Sequence, residues 1–279
     1  MSGIETDIEE VRIDVPRVQA IARRVAAAAA DFTVTARPLR LASGAPATDP
    51  VSLTLTAHAN AQRLEVGLMG EAAADELTRM AEFVVAGALH VATLGRRTQF
   101  AVMGLAARPM SEQIAVSAPM IRTPSLPAKE GWAPESDDEL LSFMVLLADG
   151  DPEIPLGAPA DPATIAAAEL AEAAAELRSA LSYGGRAADT LVSFAEWMRH
   201  WAAQVDAINR AIGEWAAVYR EVRAQAERPA GEYVRWLASA MSGEAGARPE
   251  TIVAAGILDR YLQVAIPTPD LGDYPRLAA

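Results

Sequence analysis

Ala187, Leu191, Phe194, Met198, Trp201, Val205, Ile208, Ile212, Trp215, Tyr219 and Val222 follow one another at alternating spacings of four and three residues, without a break. An apolar stripe of that period lies along one side of an α-helix, and about five heptads of it must be covered by something. The spacing predicts a helix from Arg186 to about Glu227, roughly 60 Å long at about 1.5 Å per residue. Ahead of it, Asp161 and Pro162 open a helix of about 20 residues in which Ala163, Ala166, Leu170, Ala173, Leu177 and Ala180 repeat at similar spacing. That neighbour reaches only about 30 Å. Its alanines suit Phe194, Met198 and Trp201 as large-into-small packing. Half of the long seam is left over, to be covered by helical pieces near Tyr233 to Met241 and Glu250 to Val264 folding back, or by a second chain.

The beginning of the chain changes period. Asp14, Val15 and Pro16 form a helix start, and Val18, Ile21, Ala22, Val25, Ala28, Ala29 and Phe32 keep helical spacing, predicting a helix over 15 to 31. Phe32, Val34 and Ala36 then alternate with polar residues, as do Leu39 and Leu41 around Arg40. After a loop at 42 to 50, Val51, Leu53, Leu55 and Ala57 alternate with Ser52, Thr54 and Thr56, and Leu64, Val66 and Leu68 alternate again. Alternation predicts strands, with His58 to Ala61 as the hairpin turn. From Glu71 the period is helical, through Leu77, Ala81, Val84, Ala88 and Val91. Residues 96 to 160 are rich in proline, with extended pieces expected at Gln99 to Leu105 and Ile114 to Met120 and a short helix at Asp138 to Ala148. The expected class is α+β: an αβα domain over 1–97 built on an antiparallel hairpin or small sheet, a connection over 98–160, a helical hairpin or bundle over 161–265 and a proline-containing tail over 266–279.

The hairpin VSLTLTAHANAQRLEVGL and the helix EAAADELTRMAEFVVAGALHVAT, preceded by a helix, resemble the YbaB/EbfC family of nucleoid-associated proteins over roughly residues 15 to 95. The resemblance implies a dimer with shared sheets and DNA-binding elements. The turn here carries Ala59, Asn60 and Ala61 where that family favours glycine. Further on, Tyr183, Gly184 and Gly185, followed by Ala187, Ala188 and Phe194, resemble the Trp-x-Gly helical hairpins of ESX (type VII) secretion systems over about 160 to 227, with Tyr183 in the tryptophan position. The resemblance implies a link to such an actinobacterial locus. The family's export signal, Tyr then an acidic residue four places on, is missing: Arg223 follows Tyr219, Leu237 follows Tyr233 and Ala265 follows Tyr261. A machinery-associated role therefore fits better than that of an exported substrate.

Charge narrows the partners. The net charge is -13, yet the chain through Lys129 holds 13 basic and 13 acidic residues, so the remaining 11 basic and 24 acidic residues carry all of it (24 minus 11). The neutral first part has no run of basic residues beyond the pairs Arg23, Arg24 and Arg96, Arg97, which disfavours direct DNA binding, while the acidic later part repels phosphate and makes a basic protein partner the more natural ligand there. The longest apolar stretch, Met80 to Leu94, is broken by Glu82 and His90 and is too short for a bilayer, so no membrane insertion is expected. The acidic start MSGIETDIEE is unlike a signal or transit peptide, which points to the cytoplasm and leaves type VII export open.

Chemistry is sparse. The chain has no cysteine, and His58, His90 and His200 are scattered. No nucleophile elbow, phosphate loop, dinucleotide turn or zinc helix is present. No catalytic residue, metal site or cofactor is therefore expected. The candidate partner-binding residues are Tyr183, Gly184, Gly185, Trp197, Trp201 and Trp215. Trp201 and Trp215 lie on the seam and read as core, whereas Trp197 is one position off it and reads as the exposed anchor. The leading expectation is a non-enzymatic, self-associating scaffold. The alternatives are a YbaB-type DNA-binding dimer with an acidic helical extension, and an enzyme or small-molecule binder with a pocket between the halves.

Overall fold

The computed structural model describes residues 14–101, 134–151, 153–154, 157, 159–180, 185–244 and 246–276. The helices are α1 (Val15–Ala36), α2 (Pro50–Ala101), α3 (Asp137–Ala148), α4 (Asp161–Ala180), α5 (Gly185–Met241) and α6 (Thr251–Leu262), with a 3-10 turn at Arg37–Arg40. No strand occurs among the described residues, so the α+β expectation is corrected: the fold is all-α.

The expected hairpin is the first third of α2. Asp49 Oδ1 accepts hydrogen bonds from the backbone N–H groups of Val51 (3.0 Å) and Ser52 (2.9 Å), and Pro50 occupies the first helical position. Burial then follows the helical period: Val51, Ser52, Leu55, Thr56, Ala59, Gln62, Arg63 and Val66 face inward. Leu53 and Leu64, which alternation would place inside, are exposed. The alternating pattern arose because polar residues stand on the buried face. Likewise Phe32 to Ala36 close α1, where Thr33 and Thr35 donate their hydroxyls to the carbonyls of Ala29 and Asp31 (both 3.0 Å) and Val34 is exposed. Of the extended pieces, 99–101 end α2 and the rest lies outside the described residues.

Four helices form the bundle. Ile21 and Val25 of α1 meet Met80 and Val84 of α2, Leu177 of α4 and Leu191 of α5 around one small interior space. At the other end of α1, Ala36 lies against Gly67 and Gly70 of α2. α1 therefore runs antiparallel to α2. It is also antiparallel to α4, because Arg24 pairs with Glu176 (2.6 Å) and Glu172 (3.2 Å), and Arg17 reaches Ser179 (3.0 Å). Gly70 is required by packing: a Cβ there would stand 2.7 Å from Ala36 Cβ and 3.1 Å from the Trp201 ring. Trp201 is fully buried, donates Nε1–H to Val66 O (2.9 Å) and meets Phe32 edge-on at 4.7 Å.

α5 outgrows the bundle. At 57 residues it is about 85 Å long, and α2 at 52 residues is about 78 Å. The seam from Leu191 to Val222 is buried by the chain's own helices. Its first half packs on α4, whose Ala163, Ala166, Ala167, Ala173 and Ala174 are all buried, and its second half packs on α3 and α6, which fold back along it. Arg260 of α6 grips Glu221 with two hydrogen bonds (2.6 and 2.7 Å), and Arg223 donates to Gly150 O (2.9 Å) at the end of α3. Ser136 caps α3 by accepting from Glu139 N (3.2 Å). Pro229 lies within α5 without ending it.

After α6 the chain runs extended along α2 and α5 as a strap. His58 and His200 each donate Nε2–H to strap carbonyls, Ile266 O at 3.2 Å and Asp270 O at 2.5 Å. Ile266 and Leu271 are buried as its anchors.

Candidate functional site

Of the sequence-predicted residues, Tyr183 and Gly184 lie outside the described residues, and Gly185 is the first residue of α5. Trp201 and Trp215 are core, at 0% and 2% exposure. Trp197 is no exposed anchor: it is 7% exposed, donates Nε1–H to Leu271 O (3.0 Å) and meets the Tyr274 ring at 6.0 Å. The strap covers it. Position on the helix wheel located Trp197 correctly at the edge of the seam, but no periodic signal marked residues 263–276 as its cover.

A buried polar cluster is one that sequence reasoning missed. Asp49 is fully buried, and its Oδ2 has no hydrogen-bond partner. Beside it, Ser52 Oγ and Tyr261 Oη lie 2.8 Å apart, and Trp215 donates Nε1–H to Tyr261 Oη (3.1 Å). Burial raises the Asp49 carboxyl above the ordinary range, against hydrogen bonds from Ser52 and Val51 that lower it. Burial and the nearby Asp49 charge push the Tyr219 phenol up to about 12, and the Tyr261 phenol upward as well. Perturbed groups of this kind can mark a catalytic site, but a general acid must reach a substrate. Asp49 and Ser52 have no exposed surface. The cluster is a polar rivet that fastens the start of α2 to α5 and α6. Further along the bundle, the interior space bounded by Leu39, Arg63, Val66, Val205, Ile208 and Asn209 has no room for a ligand. Among the described residues no group of three His, Asp or Glu side chains is placed to hold a metal ion, and no helix is long and apolar enough to cross a membrane.

The exposed feature is at the far end of α5. The seam continues past Val222 through Ala226, Ala230 and Tyr233, all buried, because α3 still covers them: Tyr233 Oη reaches Asp138 Oδ1 (3.5 Å) at the start of α3. Leu237 and Met241 continue the same stripe beyond α3 and are 38% and 89% exposed. Val234 on the adjoining position is 50% exposed, and Ile252 and Val253 in the first turn of α6 are 82% and 53% exposed. On the other side of α5, Trp236 floors a cleft of about 640 Å³ bordered by Arg228, Arg235, Arg248 and Val253. Arg248 stacks over Trp236 at 5.7 Å while its Nη2 binds Asp138 (2.5 Å), and Arg228 is held by Glu232 (2.8 Å). Apolar side chains next to a half-buried tryptophan and arginines are the composition of a protein-docking surface.

A comparison of the chain with protein-family models and with curated proteins finds no match.

Proposed function

We propose that this chain is a non-enzymatic helical scaffold that docks a protein partner at the tip of α5. The observation that carries the reading is a seam that outruns its cover: the stripe buried from Leu191 to Tyr233 continues into exposed Leu237 and Met241, with exposed Val234 on the adjoining position. Isolated surface leucines are ordinary, but contiguous apolar side chains on a projecting helix end favour association. The buried rivet and the filled bundle interior favour a structural role over an enzymatic one. The resemblance of the region from 160 to 227 to Trp-x-Gly hairpins supports placing such a scaffold beside a type VII secretion system. DNA binding of the YbaB type draws no support from the fold, since the residues read as its hairpin are helical.

The test places a photo-crosslinking residue at position 237 or, as a control, at position 165, where Ile165 is also exposed but sits on α4. Crosslinking in the native cell to one discrete partner from 237 and not from 165, abolished by Met241→Glu, is the expected result. Equal labelling from both positions would overturn the reading.

A further inference from the structure

A second surface lies at the opposite end of the bundle, on the face of α1 and α2 away from α4 and α5. Gln19, Arg23 and Ala26 form one bank of an open groove of about 530 Å³, Glu82, Val85 and Leu89 the other, and Ala22 and Ala81 its floor. Leu89 on that bank is 44% exposed. Arg23 and Glu82 face solvent on opposite banks, and neither has an ion-pair partner among the described residues.

We propose that this face joins two copies of the chain in a two-fold dimer, with α2 of each lying along the groove of the other. Two observations select a second copy over another partner. One cation and one carboxylate on opposite banks are self-complementary under a two-fold axis, which sets Arg23 of each copy against Glu82 of the other. The charge distribution agrees: the chain through Lys129 is neutral, 13 basic against 13 acidic residues, while the later part carries the whole -13. Contact through α1 and α2 is therefore the contact between copies that brings the least like charge together, and it offers a strongly basic partner no net attraction. Val85 and Leu89 supply apolar area to bury. The surface is separate from the tip of α5, and neither proposal depends on the other.

The test is sedimentation equilibrium of the full chain and of Arg23→Glu, Glu82→Arg and the double reversal, with helicity checked by circular dichroism. A dimer is expected for the unaltered chain. Each single reversal places two like-charged pairs in a two-fold interface and weakens it by about tenfold or more, and the double reversal restores it. A monomer at every concentration, or a dimer indifferent to both single reversals, would overturn the proposal.

Discussion

Replacing Gly70 by alanine and, separately, Gly213 by alanine sets one chemical change against two environments. Both glycines lie inside long helices, where alanine is favoured by about 0.5–1 kcal/mol through lower backbone entropy loss. At Gly213 no atom stands within 4 Å of the added Cβ, so that gain is expected whole. At Gly70 the Cβ would lie 2.7 Å from Ala36 Cβ and 3.1 to 3.2 Å from two Trp201 ring atoms. Neither neighbour gives way easily. Ala36 ends α1 with no torsion to rotate, and the indole is pinned by its bond to Val66 O (2.9 Å) and by the Phe32 edge. Overpacking of this kind costs about 1–3 kcal/mol, which outweighs the helix gain and leaves a net loss of about 0.5–2 kcal/mol. At about 2–4 °C per kcal/mol for a chain of this size, Tm falls by a few degrees for Gly70→Ala and rises slightly for Gly213→Ala. Thermal and urea denaturation followed by circular dichroism and tryptophan fluorescence read both signs. Trp201→Phe in the Gly70→Ala background makes room, so the pair is expected to be non-additive by about 0.5 kcal/mol or more. Equal stabilisation at positions 70 and 213 would refute the claimed close approach of α1, α2 and α5.

Other consequences are open to measurement. The buried Asp49 carboxyl holds its proton more tightly in the fold than in the unfolded chain, so its contribution to stability is greatest below its ordinary pKa and declines as pH rises through the window up to its raised value. Asp49→Asn keeps an N-cap acceptor and removes that decline; urea midpoints at about pH 4 and about pH 7 would show the variant gaining on the parent at the higher pH, and a pH-independent difference would contradict the assignment. Leu271→Ala removes a strap anchor and is expected to cost about 2 kcal/mol or more, with faster amide exchange over 266–274 and a red shift of Trp197 emission. Met241→Glu at the exposed tip is expected to leave stability within about 0.5 kcal/mol; a large loss would mean the side chain is covered.

Legibility varied along the chain for identifiable reasons. The stripe from Leu191 to Val222 read correctly because a long unbroken period has one solution, and the apolar run from Asp138 to Ala148 placed α3 within a residue of its start. The start of α2 was misread although Asp49 and Pro50 repeat the signal of Asp161 and Pro162. Ser52, Thr56, Gln62 and Arg63 put polar groups on the buried face and left an alternation that mimics a strand. Ser52 among them bonds Tyr261 across 209 positions, a contact that no local window contains.

Composition and periodicity by themselves determined that the chain contains one long amphipathic helix with an alanine-rich neighbour, that its acidity sits in the later part, and that it lacks the common catalytic motifs. These are local properties of residue order. Only the tertiary structure decided that the seam is covered from within by α3, α4 and α6, that Trp197 lies beneath the strap, and that Leu237 and Met241 are left over. Exposure is a difference between the length of a stripe and the reach of whatever folds against it, and that reach is set by where α3 begins and α6 returns, not by the stripe.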